Sequence, residues 1–333
     1  MSLLIEPTRS EYTKREYQRR TKELARRCRK ELEIHSHELL DLRQFIGWLI
    51  NQKSKLAGTS WRQYKASVVY FLEVEIEKNN DPIAQEALEV LLPEDVDGCM
   101  SSSQRTSAIK LKKFPLKDFQ VLHKYLENTP GVWHEPLRRW LVASLLTGLR
   151  PQEWANVTYT TKDGEDAIVI KNAKFTNGRA HGPTRTLLLG KLTVEERETI
   201  RKHVEVSSEW EQNKEFKRFN RDCASTLGRL SRKLWPKRSQ HVSLYSARHQ
   251  FSADAKASGM SREEIAALMG HAVDETASIH YGRKTAGYNL CRVRPDPDEV
   301  NRIRNTYKNR YIGDNEIRPS NKNYQKYTPT KDE

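Results

Sequence analysis

One segment limits what this chain can fold into. Residues 244–257, LYSARHQFSADAKA, read as a helix whose apolar face is Leu244, Ala247, Phe251 and Ala255. Arg248 falls in the middle of that face, four residues after Leu244 and three before Phe251. A guanidinium on a buried face needs a partner, because an unpaired charge in an apolar interior is very costly. Two answers fit the spacing. One is internal: a carboxylate such as Glu153, or the C-terminal end of another helix. The other is a phosphate oxygen, which arginine grips with two parallel hydrogen bonds. Spacing alone leaves both open.

The stretch continues to Tyr281. A short helix follows, with Ser261 and Glu264 in capping-box spacing and Gly270 at the stop. His271 comes directly after. A lone histidine there reads as a surface or capping residue, and Tyr281 alone as an amphipathic surface tyrosine. Arg248, His271 and Tyr281 in one compact segment, with Arg150 upstream in TGLRPQEW, assemble cations, a proton carrier and a nucleophile suited to breaking a phosphodiester.

Charge points the same way. The 333 residues hold 58 lysines and arginines against 44 aspartates and glutamates, a net charge of +14. Such an excess suits a polyanionic partner, nucleic acid before an anionic membrane. The longest apolar run, around Trp140–Leu149, is far shorter than the roughly 20 residues of a spanning helix. The first 20 residues carry no apolar signal region, and Cys28, Cys99, Cys223 and Cys291 stand singly, without a CxxC pair. No zinc or other metal and no cofactor is expected, and a reducing cytoplasmic setting fits. A P-loop pattern is missing, so nucleotide hydrolysis has no support.

In order, the chain reads as a mainly α protein with a small antiparallel β-sheet, an α+β fold in two lobes. Residues 10–34 form a charge-dense, solvated helix. Residues 37–52 carry Leu40, Phe45, Trp48 and Leu49 at helical spacing. A second helix is expected to be capped by Thr59 or Ser60, and a third starts after Asp81-Pro82. Residues 93–107 are polar and serine-rich, the clearest boundary. The expected division is a helical domain over 1–95, a basic linker over 96–114, a second domain over 115–312 and a polar tail over 313–333. In the second domain two helices precede a hairpin turning at Asp163-Gly164 and a third strand, TRTLLLG. Helices resume over 192–206 and 212–234. The latter carries Lys214, Lys217, Arg218, Arg221, Arg229, Arg232 and Lys233, read as a solvated basic face or a DNA contact. A last helix is expected near 299–307.

TGLRPQEW, the lysine-bearing hairpin, YSARHQF, LMGH and the tyrosine after it resemble, in this order, the tyrosine recombinase (phage integrase) family. The resemblance covers about residues 115–307, and the first lobe is more loosely similar to that family's core-binding domain. Arg150 to Arg248 spans 98 positions and Arg248 to His271 spans 23, close to the family's usual values.

The resemblance implies roles. Arg150 and Arg248 clamp the scissile phosphate, Tyr281 is the nucleophile, and Lys174 protonates the leaving 5′-oxygen. His271 orients the phosphate or assists proton transfer, and Glu153 holds Arg150. It also implies a double-stranded DNA site, a homotetramer on two such sites, an accessory DNA-binding protein as a possible partner, and service to a mobile genetic element.

The chain departs from the family pattern in two places. Tyr245 stands where the family has His or Lys; its phenol donates a hydrogen bond but carries no positive charge near neutral pH. Tyr281 lies ten residues past His271 instead of nine, which leaves Tyr288 as an alternative nucleophile. A further ambiguity is internal to the chain: Lys171 shares the hairpin with Lys174. Other readings are a non-cleaving DNA-binding protein on the same fold, and a type IB topoisomerase or telomere resolvase.

Overall fold

The structure, a computed structural model, describes residues 9–35, 38–100, 110–173, 180–275 and 283–305. It divides into two compact units, Met1–Leu141 with Lys217–Ala247, and Val142–Phe216 with Arg248–Glu333. Helices dominate, and a single four-stranded antiparallel sheet accompanies them among the described residues.

The first unit begins with α1 (Glu11–Glu31), capped by the Ser10 side chain, which accepts from the Thr13 amide. Its outer face is laced by Arg19 with Glu16 and Glu23, while Leu24 and Cys28 turn inward. Helix α2 (Leu42–Asn51) starts at Asp41, later than the apolar spacing suggests, because Asp41 accepts from the Arg43 amide and so opens the helix after Leu40. Helix α3 (Gly58–Asn79) is not capped by Thr59 or Ser60. Extended Ala57 is the boundary residue, and its carbonyl takes the amides of Ser60 and Trp61. Helix α4 (Pro82–Leu91) follows the expected Asp81-Pro82 start. Trp61, Leu72, Phe45, Leu49 and Leu91 form the core of this bundle, and Val96 and Cys99 pack onto it.

Helices α5 (Leu116–Asn128) and α6 (His134–Thr147) come next in the chain. The N-terminal half of α6 meets α8 (Phe216–Leu234) through Trp140 and Phe219, whose rings lie 5.0 Å apart. Asn213–Glu215 separate α8 from α7 (Val194–Gln212), so α8 starts later than expected. Lys217, Arg218, Arg221, Arg229, Arg232 and Lys233 are exposed along it.

In the second unit a single 3-10 turn, Glu153–Asn156, leads into β1 (Val157–Lys162) and β2 (Glu165–Lys171). Their two-residue turn is Asp163-Gly164, both at positive φ, which pairs Lys162 with Glu165. Strand β3 (Thr184–Leu188) pairs with β2. A fourth strand, β4 (Arg294–Pro295), was not legible in the sequence; it has two residues, and proline is tolerated there at a sheet edge. Asp296 pairs with Lys162 and caps α11 (Pro297–Val300), and Glu299 accepts the Thr186 amide. The last described helix is therefore shorter and earlier than the expected 299–307. Asp296-Pro297 supplies the stronger start signal.

Helix α9 (Leu244–Ala257) has the bounds the apolar spacing indicates, and α10 (Arg262–Met269) carries the expected capping box. No helix among the described residues is long and apolar enough to cross a membrane.

Gly148, directly after α6, has φ +67°, and a Cβ there would meet the Phe251 ring at 2.1 Å. Backbone strain and overpacking combine at this position. Gly148→Ala is expected to lower the unfolding free energy by about 2–4 kcal/mol, measured by urea denaturation; an unchanged midpoint would show that Phe251 can move away freely.

Candidate active site

The site is built in the second unit, where the ends of α6 and α10 meet the middle of α9. After α6, Gly148 reverses the backbone and delivers Arg150 and then Glu153. The carboxylate of Glu153 is fully buried. It accepts the Arg150 backbone amide at 2.8 Å and the Arg150 Nη1 at 2.5 Å. Arg150 keeps 9% of its side-chain surface open, whereas Arg248 and Arg185 keep none.

Arg248 resolves the question raised by its place on an apolar face. Its Nη1 donates to the Gly148 carbonyl at 2.7 Å, and its Nη2 to the Met269 carbonyl at 2.6 Å. Both acceptors lie at helix C-termini, where carbonyls lack intrahelical donors and the helix dipole is negative. Nη1 is also 3.8 Å from Glu153, and Nη2 is 3.4 Å from His271 Nε2. The internal answer holds, with both of its parts.

His271 owes its position to the end of α10. Gly270 takes the left-handed conformation at φ +64°, and the His271 amide reaches back to the Ala266 carbonyl at 2.9 Å. This turn buries the imidazole beside Arg248 and leaves the Leu268 and Met269 carbonyls for arginines. Burial lowers the His271 pKa to about 2, aided by the positive charges of Arg248, Arg150 and Arg185. Glu153 behaves oppositely. Burial alone would raise its pKa, but Arg185, Arg248 and Arg150 outweigh that and hold it well below the usual carboxylate range. The site thus has an ionised carboxylate, three guanidiniums and a neutral imidazole, in a locally positive field.

Arg185 was not singled out from the sequence. It lies on β3 and clamps Glu153 with Nη1 at 3.2 Å and Nη2 at 2.7 Å. The signal was partial: in TRTLLLG the period-two alternation puts Arg185 on the same face as Leu187, but only pairing with β2 turns that face inward.

The remaining candidates are placed differently. Tyr245 lies in the first turn of α9, in the other compact unit, and is partly exposed. Lys171 ends β2, exposed and paired in register with Thr184. Tyr288 is exposed, and its backbone amide is fixed to Asp254 at 2.8 Å. Lys174 and Tyr281 lie outside the described residues. Among the described residues, no group of three or more His, Cys, Asp or Glu side chains is arranged to hold a metal ion.

Comparison with known proteins yields structures only. No family model matches the chain, and no curated protein matches it in sequence. Among solved structures, the chain is similar to the Tn1549 transposon integrase in complex with a circular intermediate DNA, at 13% identity and a TM-score of 0.45, covering 84% of this chain and 91% of that one. The same integrase with transposon right end DNA aligns at 13% identity and a TM-score of 0.42, covering 80% and 90%.

The two titrating groups predict an acid-labile fold. His271 is neutral when folded but takes a proton near its ordinary value of 6.5 when unfolded, so stability is full above that pH and declines below it. Glu153 adds a further loss only below its ordinary 4.5. Between pH 6 and 5 the urea-derived stability should fall with a slope approaching about 1.4 kcal/mol per pH unit from His271. His271→Asn should flatten this part of the profile; equal slopes in the two proteins would mean that His271 is protonated in the folded state.

Proposed function

We propose that the chain is a tyrosine-type site-specific DNA recombinase, an integrase or resolvase of a mobile genetic element. It would cut and rejoin DNA strands through a 3′-phosphotyrosine link, drawing on neither metal nor ATP. The observation that carries this reading is the meeting of Arg150, Arg248 and His271. Arg150 comes from a distant stretch of sequence, yet it shares one carboxylate with Arg248, and His271 lies against Arg248, with Arg150 at the open edge.

In this reading Arg150 binds a non-bridging oxygen of the scissile phosphate. Arg248 adds charge behind it, and both stabilise the pentacoordinate transition state. The Tyr281 hydroxyl gives its proton to solvent as its oxygen attacks phosphorus, the bond to the 5′-oxygen breaks, and Lys174 gives that oxygen its proton. His271, neutral as described, donates or accepts a hydrogen bond at the phosphate instead of contributing charge. The family resemblance would give Tyr245, as a hydrogen-bond donor, the position where that family has a cation. Religation is the reverse displacement, and the ester conserves the energy of the broken bond.

The net charge of +14 and the exposed basic face of α8 suit a duplex partner. Residues 1–95 serve as the DNA core-binding domain, 96–114 as linker, 115–312 as the catalytic domain and 313–333 as a tail. A homotetramer on two DNA sites, with or without an accessory DNA-binding protein, completes the proposal, as does action in the cytoplasm.

A second reading, DNA binding on the same fold without cleavage, has one observation in its favour. Arg248 is fully buried and bonded to the Gly148 and Met269 carbonyls, a structural use of the guanidinium.

Covalent trapping separates the two. On a nicked suicide substrate in EDTA, carrying a site from the chain's own genetic neighbourhood, an SDS-resistant protein–DNA adduct is expected. It should vanish in Tyr281→Phe and fall on the order of 10²–10³-fold in Arg150→Ala. An adduct that survives Tyr281→Phe and is lost in Tyr288→Phe would transfer the nucleophile to Tyr288. Tight binding with no adduct would favour the second reading.

A further inference from the structure

Arg185 takes no part in the chemistry set out above, and being fully buried behind Glu153 it has no surface to offer a phosphate. Its hydrogen bonds nevertheless run to three separate elements. Nη1 and Nη2 hold the two oxygens of Glu153. Nη1 also donates to Asn172 Oδ1 at 2.5 Å, and Nε donates to the Leu268 carbonyl at 2.9 Å.

Each element leads to a residue of the proposed site. Glu153 grips Arg150 through both its backbone amide and its guanidinium. Asn172 closes the neck of the β2–β3 connection: its amide donates to the Pro183 carbonyl and its Nδ2 to the Gly182 carbonyl. Lys174 is two residues further along that connection. Leu268 lies in the last turn of α10, three residues before His271. The packing has little slack, since a Cβ on Gly270 would come within 2.8 Å of Arg185 Nη1 and 2.5 Å of Asn172 Oδ1.

We propose that Arg185 is a positioning residue: one buried guanidinium that sets Arg150, the root of the Lys174 connection and the end of α10 in register, so that the cluster presents Arg150 to an oxyanion. What is positioned for DNA chemistry rests on the recombinase reading; the presentation of Arg150 to an anion does not. The planar fork is essential to this role, because lysine keeps the charge but cannot bond Glu153, Asn172 and Leu268 together. A purely structural ion pair would lower stability without changing anion affinity or reaction rate in the folded protein.

The test uses the full chain and two readouts. The first is thermal unfolding with inorganic phosphate, against sodium chloride at equal ionic strength. Wild-type protein should gain a phosphate-specific rise in Tm, Arg150→Ala should lose it, and Arg185→Lys should weaken apparent phosphate affinity by about tenfold or more. The second is the single-turnover rate of adduct formation. Arg185→Lys should slow it by roughly 10–100-fold with DNA affinity held within about twofold. In a Glu153→Gln background the same change should cost less than about threefold, because its effect passes through Glu153. Should Arg185→Lys fail to fold, Asn172→Ala, which removes a single partner, should give a smaller loss in both readouts.

Wild-type phosphate affinity in folded Arg185→Lys overturns the proposal, as does a fully additive loss in the Glu153→Gln background. A wild-type protein with no phosphate-specific response also overturns it. Loss of phosphate affinity in Arg185→Lys, in a chain that forms no adduct with DNA, would sink the recombinase reading and leave the positioning role standing.

Discussion

The second unit is arranged around the ionised carboxylate of Glu153. Three guanidiniums approach it from three directions, Arg150 from its own turn, Arg185 from the sheet and Arg248 from α9. Burying one such charge without the others would be prohibitive, and removing one partner from such a set costs about 3–5 kcal/mol. The elements that carry them therefore order together. The turn after α6, β3, α9 and the end of α10 are tied through this carboxylate and the carbonyls around it. The position of His271 and its neutral state follow from the same arrangement.

Much of this was legible in the sequence because local chemistry agreed with tertiary demand. The Ser261–Glu264 capping box, the Asp81-Pro82 start, the Asp163-Gly164 turn and the bounds of α9 each rest on signals within a few residues. Arg248 was identifiable as a buried cation by position alone. Its acceptors were not, since backbone carbonyls carry no mark in a sequence and belong to whichever helix happens to end nearby. Arg185 escaped for a related reason. A strand of five residues offers too few alternations to set its inward face by itself, so the inward arginine shows only once β2 fixes the register.

What was misplaced shares one cause, competition between neighbouring signals. Thr59 and Ser60 are good caps in isolation, but extended Ala57 opens α3 ahead of both. The two residues of β4 cannot announce themselves, because pairing with β3, not propensity, makes them a strand. Once they pair, Asp296-Pro297 begins a helix there, ahead of the expected start.

The acceptors of Arg248 have one more consequence. Both belong to the main chain, so every amino acid that could occupy positions 148 or 269 would bring the same oxygen. Sequence drift at Met269 can alter bulk but cannot delete the acceptor. The fragile points are instead the two glycines whose backbone twist aims those oxygens, Gly148 and Gly270, both crowded against neighbouring side chains. An evolutionary path that changes this pocket's chemistry has many side chains to explore. A path that dismantles the seat of its deepest cation must pass through one of two codons.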